Sequence, residues 1–223
     1  MNDFLGILSN LSEVTVPILD VSIPVSKYCK IDLSRYNASL AKIDISNPDS
    51  CQAYIDRVLA LENCTIAYGG YLEKRNLYDR SERFSKASRN IHLGMDFWCK
   101  AGTAVVTPLE GTVHSFANNP DLGNYGPTLI LEHQIAEHIF YTLYGHLSLI
   151  SLDGLYAGKL FPKGSVLAFL GETEINVNYA PHLHFQIIRE MGTYKGDYPG
   201  VCTQNDLEFY QNNCPDPNIL LKF

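Results

Sequence analysis

The spacing of hydrophobic residues divides the chain near residue 65. Before that point the best helical pattern is "NPDSCQAYIDRVLALEN" (47–63), where a capping Asn47 and a first-turn proline precede apolar positions 51, 54, 55 and 58. The earlier stretch "VTVPILDVSIPV" (14–25) has the composition of two short strands. We therefore predict that residues 1–65 form a mixed α/β extension containing one helix.

Beyond residue 65 the apolar residues fall into short runs rich in Val, Ile, Thr, Tyr and Phe, separated by Gly, Pro and Asn. These runs are "TAVVTPLEGTVHSF", "PTLILEH", "HIFYTLYGHL", "GSVLAFLG" and "HLHFQII". Strands in such close succession favour an antiparallel sheet over repeated β-α-β units. The sequence predicts a mainly β protein, with a β-domain over residues 66–200 and a C-terminal tail over 201–223 packed on it.

Composition narrows the classes of function. The formal net charge is −7 and no stripe of Lys and Arg is visible, which argues against a nucleic-acid partner. No apolar run is long enough for a membrane span. The N-terminus lacks the basic flank of a signal peptide, so we expect a cytoplasmic protein, or a periplasmic or secreted one if residues ahead of Met1 were removed. The six cysteines are scattered without C-x-x-C spacing and are expected to be reduced thiols.

Two of the seven histidines stand one residue apart in "APHLHFQ". On a strand, His182 and His184 share one face, about 6.6 Å apart, while Leu183 and Phe185 face the opposite way into a core. Two imidazoles on one face can bind a single metal ion, or one can bind it while the other handles a proton. The same pattern also suits two polar residues on a solvent-exposed face.

A second candidate element is "HLGMD", with His92 and Asp96 four residues apart. On a straight strand their Cα atoms lie ~13 Å apart, too far to share an ion comfortably, but a bend at Gly94 would bring them together. Taken alone, the motif equally suits an aspartate in a turn beside an unrelated histidine. A third element is His146, which follows Gly145 at a predicted strand end and either points into a cleft or is an exposed loop residue.

The three elements together point to metal chemistry. His92, Asp96 and one histidine of the His182/His184 pair supply three ligands, and three ligands with an open position are typical of a catalytic zinc site. A zinc hydrolase also needs groups that accept and donate protons. Because no H-E-x-x-H motif offers a glutamate for that role, the remaining histidines are the candidates.

The motifs "HLGMDF", "EGTVHSF", "YGHLS" and "APHLHFQI" resemble, in order and spacing, those of the lysostaphin/LytM-type zinc metallopeptidases, from about Ile91 to Ile188. The resemblance implies a groove-shaped antiparallel β-fold and one Zn²⁺ per chain. It implies that His92, Asp96 and His184 bind the zinc, and that His146 and His182 orient water and shuttle protons. It also implies a substrate in the peptide part of bacterial peptidoglycan, at stem or cross-link peptides.

Other features leave alternatives to that substrate. The loop "GETEINVNYAP" is bulkier than the Gly/Ser/Thr-rich loop of many family members, and "YGGYLEKRNLY" and "GDYPGV" are similar to a peptidase-like segment of larger fused proteins with phosphotransferase-like and aminotransferase-like parts. The alternatives are a silent domain that binds peptides or partner proteins, and an intracellular metal-dependent amidase with a non-wall substrate. Glu73 and Asn76 are conceivable donors of a fourth zinc ligand.

Overall fold

A computed structural model describes residues 2–78 and 89–223. Its main sheet has eight strands in the order β1-β2-β4-β11-β8-β7-β6-β9, and two small sheets pair β10 with β5 and β12 with β3. The strands are β1 (Tyr28–Lys30), β2 (Ile66–Gly69), β3 (Ile91–His92), β4 (Met95–Trp98), β5 (Ala104–Val106), β6 (Gly111–Asn119), β7 (Gly126–Ile135), β8 (His138–Gly145), β9 (Leu160–Phe161), β10 (Val166–Phe169), β11 (His182–Ile188) and β12 (Val201–Cys202). The helices are α1 (Asn2–Asn10), α2 (Pro48–Leu61), α3 (Leu207–Asn213) and α4 (Asn218–Leu221). Each of the five predicted strand runs contains at least one strand, so the mainly β fold is confirmed.

The sheet is mixed because of one pair of strands. The neighbours from β2 to β9 run antiparallel, as expected, but β1 and β2 run parallel, with Tyr28 opposite Ile66 and Lys30 opposite Tyr68. Helix α2 lies between these two strands in the chain and returns it to the same end of the sheet, which makes a parallel pair. The antiparallel sheet expected beyond residue 65 is therefore confirmed, and the parallel pair joins it to β1 of the mixed N-terminal extension.

Helix α2 forms where the sequence predicts it. The side chain of Asn47 accepts a hydrogen bond from the backbone N–H of Ser50 at 3.0 Å, so the helix start is capped as expected. Its buried face consists of Cys51, Tyr54 and Ile55. These side chains lie in the same cluster as Ala67 of β2 and Trp98 of β4, so the helix covers one face of the sheet.

Two expectations for the N-terminal extension are wrong. The segment 14–25 forms no strand; its one ladder contact is a single bridge between Leu19 and Val105. Pro17 and Pro24 remove two backbone donors there, which works against a continuous ladder. The extension also contains a second α-helix, α1, whose buried residues Phe4 and Leu8 have the i, i+4 spacing of one helical face.

The main hydrophobic core lies under the sheet and includes residues from both ends of the chain. Phe4 and Leu8 belong to the same cluster as Leu183, Phe185 and Leu220. The C-terminal residues 201–223 contain β12, α3 and α4. The division into segments 1–65, 66–200 and 201–223 stays a prediction. Within the described residues, no helix combines the length and the apolar character needed to cross a bilayer.

The core beneath β11 generates a stability prediction. Leu183 is fully buried, so Leu183→Ala is expected to lower the free energy of unfolding by about 2–5 kcal/mol through lost burial and a residual cavity. Denaturant titration followed by circular dichroism measures this change. The control is Ile139→Ala, because Ile139 on β8 is 52% exposed and its loss is expected to cost about 0.5 kcal/mol or less. Equal effects of the two changes would contradict the assignment of faces.

Candidate metal centre

Strand register brings the predicted site residues together at the centre of the main sheet. Where β11 pairs with β4, His184 lies opposite Asp96, and His182 lies opposite Trp98. On its other side β11 pairs with β8, so that His184 also lies opposite Gly145, the residue before His146. Side chains on one face therefore converge, while Leu183 and Phe185 point into the core as predicted.

The predicted bend between His92 and Asp96 is confirmed. Strand β3 ends at His92 and pairs with β12, whereas β4 begins at Met95 and joins the main sheet, and Gly94 lies between them. Gly94 has a second role that the sequence analysis missed. A Cβ atom there would lie 2.6 Å from Cε1 of His184 and 2.7 Å from the backbone oxygen of Phe185, so only glycine lets the two strands approach this closely.

Three donor atoms form a compact triangle. Nε2 of His92 lies 2.9 Å from Nδ1 of His184 and 3.2 Å from Oδ1 of Asp96, and the third side, from Nδ1 of His184 to Oδ1 of Asp96, is 3.1 Å. Three ligands of a tetrahedral zinc ion, at about 2.0–2.2 Å from it, are about 3.3–3.6 Å apart. A few tenths of an ångström of side-chain movement covers the difference, so the three residues fit one divalent ion.

The outer atoms of the histidines determine which ring nitrogens are free. Nδ1 of His92 lies 2.9 Å from the carbonyl oxygen of Gly70, which can only accept, so this nitrogen carries the proton. Nε2 of His184 lies 2.9 Å from Oε1 of Gln186, whose amide nitrogen donates to the carbonyl of Pro199 at 3.2 Å. Nε2 of His92 and Nδ1 of His184, the two nitrogens of the triangle, are therefore unprotonated, and their lone pairs face a carboxylate oxygen. Three acceptors at such distances repel one another, and a cation among them removes the repulsion.

Burial and charge favour the same protonation states. Burial lowers the pKa of His92 to about 4, against the opposing influence of Asp96, so this imidazole is neutral at pH 7. Burial by itself raises the pKa of the Asp96 carboxyl, but the charged Arg75 guanidinium beside it holds that pKa well below its usual range. An ionised carboxylate and two neutral imidazoles are the forms in which these groups bind metals.

The remaining two predicted residues, His146 and His182, line the same cavity as the triangle. Nδ1 of His182 donates to the carbonyl of Ala180 at 2.7 Å, and the ring stacks on Trp98 with centroids 4.0 Å apart. His146 has a left-handed backbone, with φ of 62°, and its ring centroid lies 4.1 Å from that of His182. Nδ1 of His146 is buried without a hydrogen-bond partner. Burial lowers the pKa of His182 to about 4 and that of His146 well below its usual value, so both are neutral.

The cavity around these residues is small. Its volume is about 160 Å³, and the five candidate side chains are 1–4% exposed. Much of its wall is aromatic, from Tyr78, Tyr125, Tyr179, Tyr194 and Tyr198. Sequence reasoning missed these residues because they come from separate loops. Gln186 could have been found, since it lies two residues beyond His184 on the same strand face.

The other candidates lie outside the triangle. Glu73 accepts a hydrogen bond from Arg75 at 2.8 Å and Asn76 is exposed, so neither joins the cluster of His92, Asp96 and His184. The remaining histidines are structural or peripheral: His133 bonds to Glu110 and Thr142 inside the core, while His114 and His138 are partly exposed at strands β6 and β8. All six cysteines are free thiols.

Comparison with known proteins agrees with the geometry. The model of "Peptidase family M23" matches residues 90–196, which contain all five candidate residues. The predicted resemblance to metallopeptidases is confirmed over these matched residues. An "Uncharacterized metalloprotease" of Haemophilus influenzae is 35% identical over 95 residues, a match that spans 43% of this chain and 18% of the relative. The family match and the buried His–Asp–His cluster together indicate a metal site.

Solved structures with similar folds include M23 peptidases. A putative peptidase M23 from Pseudomonas aeruginosa is 23% identical, with a TM-score of 0.40, over 59% of this chain and 44% of that one. The catalytic domain of the antimicrobial peptidase lysostaphin from Staphylococcus simulans is 18% identical, with a TM-score of 0.39, over 65% of this chain and 88% of that one.

The close approach at Gly94 generates a prediction about the metal site. In Gly94→Ala the new methyl group would collide with the His184 ring and the β11 backbone, so metal affinity is expected to fall at least about tenfold. Titration with Zn²⁺ against a chromophoric chelator measures the affinity. Gly6→Ala is the matched control, because a Cβ atom there meets nothing within 4 Å. Metal affinity equal to wild type in Gly94→Ala would contradict the assigned site.

Proposed function

We propose that this protein is a zinc-dependent metalloendopeptidase that hydrolyses peptide amide bonds in peptidoglycan stem or cross-link peptides. In this proposal His92, Asp96 and His184 bind the zinc, and His146 and His182 handle protons. The observation that carries the proposal is the triangle of three inward-facing acceptor atoms beside two further neutral imidazoles in one cavity.

The donor set favours zinc among divalent ions. Two imidazole nitrogens and one carboxylate oxygen suit a borderline-soft ion, whereas calcium and magnesium prefer oxygen ligands. Three protein ligands also correspond to the catalytic class of zinc site, in which a further position is open to water or substrate. Such a zinc ion supplies Lewis-acid polarisation of the scissile carbonyl and a lowered pKa for attacking water.

The two further histidines suit proton transfer. Because Nδ1 of His182 donates to the carbonyl of Ala180, its Nε2 bears a lone pair that can accept a proton from water. The Ala180 carbonyl and the stacked Trp98 ring fix the orientation of the imidazole and favour its protonated form. His146, whose ring contacts that of His182, is the candidate for donating a proton to the leaving amine.

A second candidate function is favoured by the small size of the cavity and the low exposure of its candidate side chains. Side chains that are 1–4% exposed around a cavity of about 160 Å³ suit a short amide better than a long polymer crossing the sheet. The second candidate is therefore a metal-dependent amidase with a small, non-wall substrate. It uses the same residues in the same roles, and differs in the length of substrate that reaches them.

Metal analysis combined with digestion tests the proposal. Wild type and His182→Ala are both expected to hold about one zinc per chain, because His182 lies outside the ligand triangle. Only wild type is expected to release peptides from purified cell wall, since the variant lacks the proton acceptor. His114→Ala is the matched control, because His114 on β6 is outside the cavity and its loss is expected to change neither result.

A panel of substrates, made up of purified cell wall and short peptide amides, separates the two candidate enzymes. Hydrolysis of short peptide amides without release from cell wall would favour the small-substrate amidase. Zinc bound without hydrolysis of any member of the panel would overturn both enzymes in favour of a silent binding domain. Loss of zinc in His182→Ala would contradict the division of roles between ligands and proton carriers.

A further inference from the structure

A segment outside the family match lies directly against the metal centre. Residues 70–75 precede the matched residues 90–196 and run beside β3, with Lys74 bridged to Ile91. The backbone N–H of Leu72 donates to the carbonyl of His92, and the N–H of His92 donates to the carbonyl of Glu73, both at 2.9 Å. The segment is therefore held in place by the same short strand that carries His92.

Arg75 is the side chain of this segment that reaches the site. It is 1% exposed, and its Nη1 donates a short hydrogen bond to Oδ2 of Asp96 while its Nε donates to Glu73 at 2.8 Å. A Cβ atom on Gly70 would lie 2.0 Å from Nη2 of Arg75, so the backbone at residue 70 leaves space for the guanidinium group. The buried guanidinium group is paired with both carboxylates. Removing any of the three side chains would leave a buried charge without its partner, so they hold one another in fixed positions.

Because of the hydrogen bond from Arg75, the two oxygens of Asp96 have different partners. Oδ1 belongs to the triangle with His92 and His184, while Oδ2 faces the guanidinium group. A free carboxylate can bind an ion through one oxygen or through both, and it can rotate between these modes. An oxygen that already accepts a charge-assisted hydrogen bond has fewer lone pairs and less negative charge to offer the ion, so binding through the other oxygen is favoured.

We propose that Arg75 is a positioning residue of the metal site, which holds Asp96 so that a single oxygen, Oδ1, is presented to the ion. The inference rests on the metal-binding part of the proposed function and is independent of hydrolysis. In this view residues 70–75 are part of the centre, although they lie outside the family match. Glu73 acts through Arg75 by holding the far side of the guanidinium group.

The effect of removing Arg75 on metal affinity has opposite signs for a positioning residue and for a merely structural ion pair. The positive charge of Arg75 repels a nearby cation, so on charge alone its removal would strengthen metal binding. If Arg75 positions Asp96, its removal weakens binding despite the relief of that repulsion. The sign of the change in affinity therefore distinguishes the two roles.

The test uses Co²⁺ and Zn²⁺ binding to wild type, Arg75→Gln and Arg75→Lys. In Arg75→Gln the affinity for both ions, measured by competition with a chromophoric chelator, is expected to fall about 10- to 100-fold. The visible absorption of the Co²⁺ complex is expected to weaken as Asp96 binds through both oxygens and the coordination number rises. Arg75→Lys, which restores one charged donor, is expected to recover part of both properties. Arg57→Gln, on the exposed face of α2, is the control.

Glu73→Gln keeps the inference testable if Arg75→Gln does not fold. Glu73 is 17% exposed, so the change is milder, and a smaller loss of affinity in the same direction is expected. Unchanged or tighter metal binding in the folded variants, with an unchanged Co²⁺ spectrum, would overturn the role of Arg75. Wild type that binds neither ion would overturn this inference and the zinc proposal together, whereas wild type that binds metal but hydrolyses nothing would overturn the enzyme alone.

Discussion

The arrangement around the Asp96 carboxylate is the constraint on which the site depends. A buried, ionised carboxylate is costly unless it is paired, and here Arg75 pairs with one oxygen, while the other faces the unprotonated nitrogens of two histidines. The same packing leaves two imidazole lone pairs and one carboxylate oxygen facing a common point. Arg75 thus offsets part of the cost of burying the carboxylate, and the three acceptor atoms that repel one another suit a cation among them.

The sheet explains why this cluster can be so compact. Asp96 and His184 are cross-strand neighbours on β4 and β11, and β3 reaches the cluster after the bend at Gly94. Because each strand is paired on both sides or packed on a core, the donor atoms are held by backbone geometry rather than by mobile loops. The opposite face of β11 lies in the main hydrophobic core, so the position of the histidines is supported from behind.

Outer contacts decide the chemical character of each histidine. The carbonyl oxygens of Gly70, Ala180 and the Gln186 side chain each accept a hydrogen bond from one ring N–H, which leaves the other nitrogen of that ring as an acceptor. His92 and His184 therefore each present an unprotonated nitrogen to the cluster with Asp96, and His182 keeps an unprotonated nitrogen outside that cluster. Residues on both sides of the family match contribute to these contacts. Gly70, which bonds to His92, precedes the match, and Pro199, which orients Gln186, follows it.

Much of the fold and the candidate site could be predicted from the sequence. Period-two alternation identified β11 and the shared face of His182 and His184, and glycine at position 94 indicated the bend between His92 and Asp96. The cap at Asn47 identified α2. These features are local, since they depend on residues within a few positions of one another. The same local reasoning placed strands in 14–25, where side chains pack without a ladder, and overlooked α1.

Only the tertiary structure decided what surrounds the cluster. Arg75 lies 21 residues before Asp96, and Gly70 lies 22 residues before His92, so no short motif could assign these partners. Which oxygen of Asp96 faces the triangle, and which side chains line the cavity, depend on segments distant in the chain. The local sequence determines the order and type of the site residues. Their protonation, orientation and access to solvent depend on long-range packing, because segments distant in the chain supply their hydrogen-bond partners and exclude water from around them.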